Sequence, residues 1–191
     1  IRPEFLSVIG GTYSSEWWWS KILHCRNTAE QVYDAAFSWI EICDWIPAVL
    51  TGNTDPLTIK RSVCAAGHKA MYNPAWNGLP DEQFLNRLSP GLGNLRKRLY
   101  DRAYTADRQA GTISPEWALK LGIPESAVVA VGAFDAHMGA VGAWIAPDTL
   151  VKIVGTSTCD IMVHPNSKRL QDIPGVCGIV DGSVMEGYYG I

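Results

Sequence analysis

Asp135 is the residue whose position in this 191-residue sequence first indicates chemistry. It follows the apolar run Val128–Val131 and opens a segment of small residues that includes Gly139. A carboxylate between a strand and a helix lies where α/β sheets bind ligands, and a helix N-terminus there also favours phosphate. Aspartate is equally one of the commonest helix caps, and the local pattern alone favours the cap. Both interpretations, catalytic acid and helix cap, remain open at this point.

The segment Gly155–Thr158 is a second candidate, because it places glycine and hydroxyl residues between the β-rich runs Leu150–Val154 and Asp160–Val163. This pattern predicts a hairpin whose backbone N–H groups and hydroxyls could bind an anion, with phosphate the obvious one. Ordinary hairpin turns use the same residues, so the turn alone does not establish a ligand. The sequence has neither a GxxxxGK[ST] loop nor a GxGxxG run after a strand, so neither a P-loop nor a Rossmann nucleotide site is supported.

Lys69 is a third candidate, since it lies in the run Cys64–Ala70 with little other charge nearby. Most single lysines face solvent, and without a family argument that is the simpler interpretation. His137, two residues past Asp135, could act as a base, although a histidine packed in a helix is the commoner case.

The elements that would position these residues alternate between helix and strand, which predicts an α/β fold. Ser114 as a cap and Pro115 at the first helical position predict a helix that Gly122 closes. Val128–Val131 predicts a buried strand. The small residues Ala136–Ala143 then predict a tightly packed helix that begins beside Asp135.

The first half of the chain predicts further helices and one irregular stretch. Thr28 heads a capping-box pattern, and the apolar residues behind it keep helical spacing as far as Ile40. Asp44 is expected to cap a short helix that stops just before Gly52. Residues 53–75 show no clear period, so we expect irregular structure there with one short strand.

Trp17, Trp18 and Trp19 are consecutive in the sequence. Three adjacent large side chains are not expected to face one core, so this cluster predicts a cleft or an interface. It is the feature of the sequence that points to a homo-oligomer.

Composition excludes several function classes. The chain is 47% hydrophobic and 18% charged with a formal net charge of −3, which is globular and gives no electrostatic footprint for nucleic acid. No window approaches 18 uninterrupted apolar residues, so no membrane span is predicted. The five cysteines form no CxxC pair and no metal-type spacing with the histidines, which predicts reduced thiols, no metal site and a cytoplasmic location.

Four segments, taken together, resemble the FGGY carbohydrate kinases. Asp44–Gly52 is similar to the D-aromatic…LTG helix end of that family, and Ala110–Gly122 to its run before the catalytic strand. Val131–Asp135 with Gly139 resembles its G-x-x-D motif, and Gly155–Ser157 its phosphate-binding turn. The segments occur in the family's order, and the resemblance covers nearly the entire chain.

Further stretches resemble the members of that family that phosphorylate L-ribulose. These stretches are Cys64–Ala70, Val131–Ala143, Gly155–Asp160 and Asp181–Ser183. The resemblance therefore implies ATP-dependent conversion of L-ribulose to L-ribulose 5-phosphate in L-arabinose catabolism, with Mg²⁺ shared between phosphate oxygens and carboxylates.

The same resemblance implies a two-lobed actin-like, ribonuclease H-like ATPase fold of which this chain is a part. Residues 1–146 correspond to the later part of the first lobe, the sugar-binding side, and 147–191 to the start of the second, with the phosphate-binding hairpin. Asp135 becomes the catalytic base and a sugar contact, and Lys69 a further sugar contact. The residues that would bind the ATP phosphates are Gly155, Thr156 and Ser157.

Several parts of the family pattern do not occur in this sequence. An N-terminal Asp-x-Gly-Thr run, a C-terminal Gly-Gly segment and a glutamate expected after Gly190 are not present, so we expect a piece of a longer enzyme that does not turn over alone. One alternative is a kinase for another ketose or polyol, such as xylulose or ribitol. Another is a non-catalytic, actin-like sugar-binding regulator, against which Asp135 argues, since a pure binder needs no carboxylate at the phosphate turn.

Overall fold

A computed structural model describes residues 4–191 of the chain. The helices are α1 (Glu4–Ser7), α2 (Trp18–Thr28), α3 (Glu30–Ala35), α4 (Ile42–Thr51), α5 (Val63–Ala70), α6 (Glu82–Leu88), α7 (Gly93–Arg96), α8 (Pro115–Leu121) and α9 (Asp135–Gly142). The strands are β1 (Arg61–Ser62), β2 (Ala103–Tyr104), β3 (Gln109–Thr112), β4 (Val128–Ala130), β5 (Val151–Val154), β6 (Thr158–Ile161), β7 (Val163–Pro165), β8 (Val180–Asp181) and β9 (Tyr188–Gly190). None of these helices is both long and apolar enough to span a bilayer.

The strands pair in small sheets within the described range. β1 pairs with β2 in parallel, and β3 pairs with β4 in antiparallel fashion. β5 and β6 form an antiparallel hairpin in which Val154 lies opposite Thr158, as the sequence predicted. β9 lies between β7 and β8 in an antiparallel sheet. The chain is thus a mixture of helix and sheet.

Two clusters of buried apolar side chains hold these elements together. The larger cluster joins α2, α5, α6 and α7 through residues that include Trp19, Leu85 and Leu95. The smaller cluster joins α9 to the β5–β6 hairpin and contains Ala140 and Ile161. Because the smaller cluster draws on residues from both sides of the expected lobe boundary at 146/147, α9 and the hairpin pack as one unit. The division into lobes there stays a prediction.

Local capping signals predicted α8 and the end of α4 correctly. The Ser114 hydroxyl oxygen accepts the Trp117 N–H at 3.4 Å, and Gly122 ends α8 in the left-handed region at φ 66°. Gly52 ends α4 in the same way at φ 74°. Left-handed backbone carries little strain for glycine, which is why this residue type marks both ends.

The capping box expected at Thr28 is wrong. Thr28 is the last residue of α2, and its hydroxyl donates to the His24 carbonyl at 2.8 Å, so it serves the preceding helix and not the next one. The following helix, α3, begins at Glu30 and ends at Ala35. The predicted helix therefore forms as far as Ala35, but the spacing from there to Ile40 does not correspond to helix.

Asp44 is not the cap of α4 but lies inside its first turn. Its carboxylate accepts the Ser62 N–H at 2.7 Å and lies 3.9 Å from the guanidinium of Arg61. Both charged side chains are buried, and burial raises the pKa of Asp44 to about 7 against the opposing effects of Ser62 and Arg61. The carboxylate thus connects α4 to β1.

The stretch 53–75 is also more regular than expected, since it contains α5 as well as β1.

The three consecutive tryptophans contact a single core, contrary to expectation. Trp18 and Trp19 are buried in the larger cluster, and Trp17 packs against it. The Trp19 indole donates to the Ala70 carbonyl at 3.0 Å, which satisfies an acceptor at the C-terminal end of α5. The cluster therefore supports the helix that carries Lys69. Trp19 also lines an apolar pocket with Tyr13 and Phe84, which agrees with the expected cleft but gives no indication of an interface.

The strand predicted at 128–131 forms as β4, but it is not buried along its length. Val128 is 53% exposed, whereas Val131, just past the strand, is only 3% exposed. β4 pairs with β3 alone and packs against α4, so the apolar run is covered on one side.

Candidate active site

Asp135 is the first residue of α9, immediately after the N-cap position, which Phe134 occupies. Its side chain is exposed, and one carboxylate oxygen accepts the adjacent Ala136 N–H at 2.8 Å. The other carboxylate oxygen is left for solvent or a ligand. The structure thus places a carboxylate at a helix N-terminus with its charged end accessible.

Lys69 lies beside this position. Its ammonium is 4.3 Å from the centroid of the Phe134 ring and 3.8 Å from a carboxylate oxygen of Glu41. The Lys69 side chain is 33% exposed, so most of it is covered, unlike that of an ordinary surface lysine. A cation over an aromatic face and beside a carboxylate is held in one orientation. Lys69 therefore sits at a fixed place next to the residue that precedes Asp135.

The Gly155–Ser157 turn forms the exposed tip of the hairpin against which α9 packs. A Cβ at Gly139 would lie only 3.1 Å from the Ile153 side chain, so glycine allows the close approach of α9 to β5. α9 also contacts β6, the strand just past the turn. Burial is the main cause that raises the pKa of Cys159 on that strand, and the charge of Asp135 adds to it. The Gly155 N–H donates to the Ser157 carbonyl at 2.8 Å, so the turn itself uses that amide.

Gly132 sets the approach of the Asp135 segment to α4. A Cβ at Gly132 would overlap the carbonyl oxygen of Cys43, which is backbone and cannot rotate away. The glycine of the G-x-x-D run therefore has a packing role: it lets the chain that leads to Asp135 pass directly over the start of α4.

A pair of buried histidines that the sequence did not reveal lies behind the site. The Nε2 atoms of His68 and His137 lie 3.2 Å apart, and the Ser183 hydroxyl lies 3.0 Å from the same His68 nitrogen. Burial lowers the pKa of His68 to about 3 and that of His137 to about 4, so both rings are neutral near pH 7. His137 had been considered as a base, but its ring is buried beneath the site and not presented to it.

The signal that could have found this pair lay in the family-like stretches themselves. His68, His137 and Ser183 come from three different stretches that resemble the same kinases, and the structure brings them into contact. Polar residues shared by separate motifs are candidates for mutual contact, although spacing alone does not say which of them meet.

The cysteines around the site are unpaired thiols. Burial raises the pKa of Cys64 to about 12 and raises that of Cys43 still further, so both thiols stay protonated. A protonated, buried thiol is a poor nucleophile. Among residues 4–191, moreover, no three His, Cys, Asp or Glu side chains gather in a way that could hold a metal ion.

Known proteins resemble this chain closely in sequence. A ribulokinase from Vibrio parahaemolyticus is 48% identical over 183 residues, which are 95% of this chain and 32% of that protein. A ribulokinase from Mycolicibacterium smegmatis is 37% identical over 188 residues, 97% of this chain and 32% of its own length. The chain matches ribulokinases along nearly its whole length. It spans about a third of the length of the curated relatives it matches. No protein-family model matches it.

Solved structures show that this chain has part of the FGGY kinase fold. A xylulose kinase from Rhodospirillum rubrum superposes with a TM-score of 0.72 at 20% identity, covering 100% of this chain and 36% of that one. A ligand-bound xylulose kinase from Lactobacillus acidophilus gives 0.69 at 19% identity, covering 98% and 36%. The predicted fold class, part of an actin-like, ribonuclease H-like ATPase, is confirmed.

Proposed function

We propose that the protein carrying this chain transfers the γ-phosphoryl group of ATP to L-ribulose and releases ADP and L-ribulose 5-phosphate. The observation that carries the proposal is the contact of Lys69 with Phe134, the residue before Asp135, in a chain that is 48% identical to a ribulokinase over nearly all its length. A kinase needs a base for the attacking hydroxyl and fixed charges for the substrates, and this site offers both.

Asp135 acts as the general base in this proposal. As the terminal hydroxyl oxygen of the sugar forms its bond to the γ-phosphorus, the bond to the ADP oxygen breaks and the hydroxyl proton passes to the Asp135 carboxylate. The exposed carboxylate at the start of α9 is free to receive it. A positioned base of this kind contributes about 10²–10⁴ in rate.

Lys69 holds the sugar. Its ammonium is positioned by Phe134 and Glu41, so it can donate to sugar hydroxyl or carbonyl oxygens without losing much side-chain freedom on binding. Because Lys69 contacts Phe134 and Asp135 follows Phe134 in the chain, the proposal assigns the sugar contact and the base to neighbouring positions.

The ATP phosphates are assigned to the hairpin turn. The exposed hydroxyls of Thr156 and Ser157 are available as donors, and Gly155 supplies a position without a side chain at the tip. Since no metal cluster forms among residues 4–191, we assign no residue of this chain to Mg²⁺, which would reach the site with ATP. Its contribution when bound is to neutralise phosphate charge.

The biological setting is part of the same proposal. Phosphorylation of L-ribulose fits L-arabinose catabolism, and the unpaired thiols fit the reducing cytoplasm. The partners are ATP and a small sugar. A homo-oligomer stays a prediction, without the support that the tryptophan cluster first offered.

The test is a sugar panel on the complete protein. ADP release would be measured with ATP and Mg²⁺ against L-ribulose, D-ribulose, D-xylulose and ribitol, for the wild type and for Asp135→Asn. We expect preference for L-ribulose and a loss of at least about a hundredfold in kcat for Asp135→Asn. The exposed Asp172→Asn is the matched control and should keep wild-type rates.

Each part of the proposal fails on a different result. Preference for xylulose or ribitol would show that the substrate is not L-ribulose, although the protein would still be a sugar kinase. Near-normal turnover of Asp135→Asn would show that Asp135 is not the general base. ATP binding without turnover of any sugar would favour a sugar-binding regulator.

A further inference from the structure

The histidine pair lies behind the site and joins the two helices that carry its proposed residues. His68 precedes Lys69 on α5, and His137 follows Asp135 by two positions on α9. Both imidazoles are more than nine-tenths buried, with exposures of 7% and 8%. Buried polar rings cost free energy unless they are hydrogen-bonded, so the mutual bond at 3.2 Å accounts for their being together.

Neighbouring groups assign the protons of this bond. The Cys177 carbonyl, 3.4 Å from His68 Nδ1, can only accept, which favours the tautomer with the proton on Nδ1. In that tautomer His68 Nε2 is the acceptor that both His137 and the Ser183 hydroxyl approach. His137 Nε2–H then donates to that nitrogen. His137 Nδ1 is consequently a bare acceptor, and it is buried without a hydrogen-bond partner among the described residues. The ring is thus tied to α5 by a single directional contact.

The His68 end of the bond is tightly confined. Ser183, itself 1% exposed, lies 3.0 Å from His68 Nε2, and a Cβ at Gly178 would come within 2.6 Å of His68 Nδ1. Residues on both sides of β8 therefore enclose the ring. Because the His68 ring is confined, its hydrogen bond to His137 also restrains the position of α9.

Side-chain contacts connect α5 to the start of α9. They include Lys69 over the Phe134 ring at 4.3 Å and His68 to His137 at 3.2 Å. These contacts flank Asp135 in sequence, at positions 134 and 137. The distance between the Lys69 ammonium and the Asp135 carboxylate thus depends on them.

We propose that His68, His137 and Ser183 form a positioning unit that fixes the separation of Lys69 and Asp135 for the sugar. The inference rests on the proposed function. The three residues of this unit touch neither substrate, and they act through Lys69 and Asp135. Displacement of reacting groups by about 1 Å can lower the rate a hundredfold. Loss of a contact behind the site is therefore expected to lower the catalytic rate.

The test uses paired substitutions at His137 in the complete protein. His137→Leu fills the space but removes the donor, whereas His137→Gln keeps an N–H near the Nε2 position. We expect His137→Leu to lower kcat/KM for L-ribulose by about tenfold to a hundredfold while KM for ATP changes less than about twofold. His137→Gln should recover most of the loss. Asn86→Ala, which removes hydrogen bonds to Gly91 and Gly93 on the α6–α7 side, is the control for general loosening.

A double-mutant cycle separates positioning from mere stability. If His137 acts through Lys69, His137→Leu will add little to the loss already caused by Lys69→Met. Full additivity, an equal rise in both KM values, or unchanged sugar kinetics would each overturn the inference. Should His137→Leu not fold, Ser183→Ala in the same cycle gives the answer.

The wild type distinguishes the two levels of the proposal. A wild type that phosphorylates no sugar overturns the proposed function and this inference with it. A wild type that phosphorylates L-ribulose, with a His137→Leu variant indistinguishable from it, overturns this inference alone.

Discussion

The Nε2 atoms of His68 and His137 lie 3.2 Å apart, so one hydrogen bond between neutral rings joins residues 69 positions apart in the chain. Burial, the largest cause, lowers the pKa of both rings below the ordinary histidine value of 6.5. In the unfolded chain both rings return to that ordinary value. The pair is therefore a source of acid sensitivity as well as a structural contact.

We expect the free energy of unfolding to fall as pH drops from 6.5 toward 4.5 because of this pair. In that window the unfolded chain binds protons at both histidines and the folded chain binds none, so acid favours unfolding. Each ring contributes up to about 1.4 kcal/mol per pH unit. Urea unfolding at several pH values should give a slope that is smaller by about 1 kcal/mol per pH unit in His137→Gln than in the wild type.

Comparison with the variant removes the contributions of other groups. The buried Asp44, whose pKa is raised to about 7, acts in the opposite direction over the same pH range, since the folded state holds its proton more tightly. That contribution is common to both proteins and cancels in the difference. Parallel curves for wild type and variant would mean that His137 titrates normally in the folded state.

Gly132→Ala is expected to destabilise the protein by about 1–3 kcal/mol or more. The new methyl group would overlap the Cys43 carbonyl oxygen, and backbone must shift to relieve it. Gly142→Ala is the matched control, because nothing lies within 4 Å of a Cβ there and alanine suits a helix better than glycine. Chemical denaturation of both variants checks the pair: equal midpoints would show that α4 does not pass this close to Gly132.

Elements whose ends depend on contacts within a few residues were predictable from the sequence, whereas those that depend on distant partners were not. Ser114 and Gly122 bracket α8 through contacts within a few residues, so their types were sufficient. Thr28 and Asp44 are equally good caps by type, but Thr28 bonds back to His24, and Asp44 bonds to Ser62 on β1. A polar side chain with two candidate partners cannot be assigned by type alone.

The site shows the same division. Family-like motifs led to Asp135 and Lys69 as candidates, and in the structure Lys69 contacts Phe134, the residue before Asp135. Their roles in catalysis and sugar binding stay predictions. The histidine pair escaped because its members belong to separate motifs, and no periodicity encodes a contact between α5 and α9.

Trp19→Phe is expected to cost about 1–3 kcal/mol of stability, beyond the small change in buried area. The phenyl ring keeps most of the packing, but the Ala70 carbonyl loses the indole N–H that it accepts at 3.0 Å. Trp18→Phe is the control, since the Trp18 indole N–H is buried without a hydrogen-bond partner among the described residues. We expect Trp18→Phe to be clearly the milder of the two in urea unfolding. The reverse order would show that packing, not the bond to α5, dominates here.

Lys69→Met should raise KM for L-ribulose by about tenfold to a hundredfold and leave KM for ATP nearly unchanged. A hydrogen bond from a charged donor is worth about 1.5–3 kcal/mol, and methionine keeps the apolar stem while removing the donor. Glu41→Gln tests how the ammonium is held: it removes the carboxylate 3.8 Å away and leaves Phe134 as the remaining contact. We expect a smaller rise, below about tenfold, because a partly exposed ion pair contributes about 1 kcal/mol or less. The measurement is steady-state kinetics with each substrate varied in turn. An equal effect of Lys69→Met on both KM values would show that Lys69 acts on nucleotide binding and is not specific to the sugar.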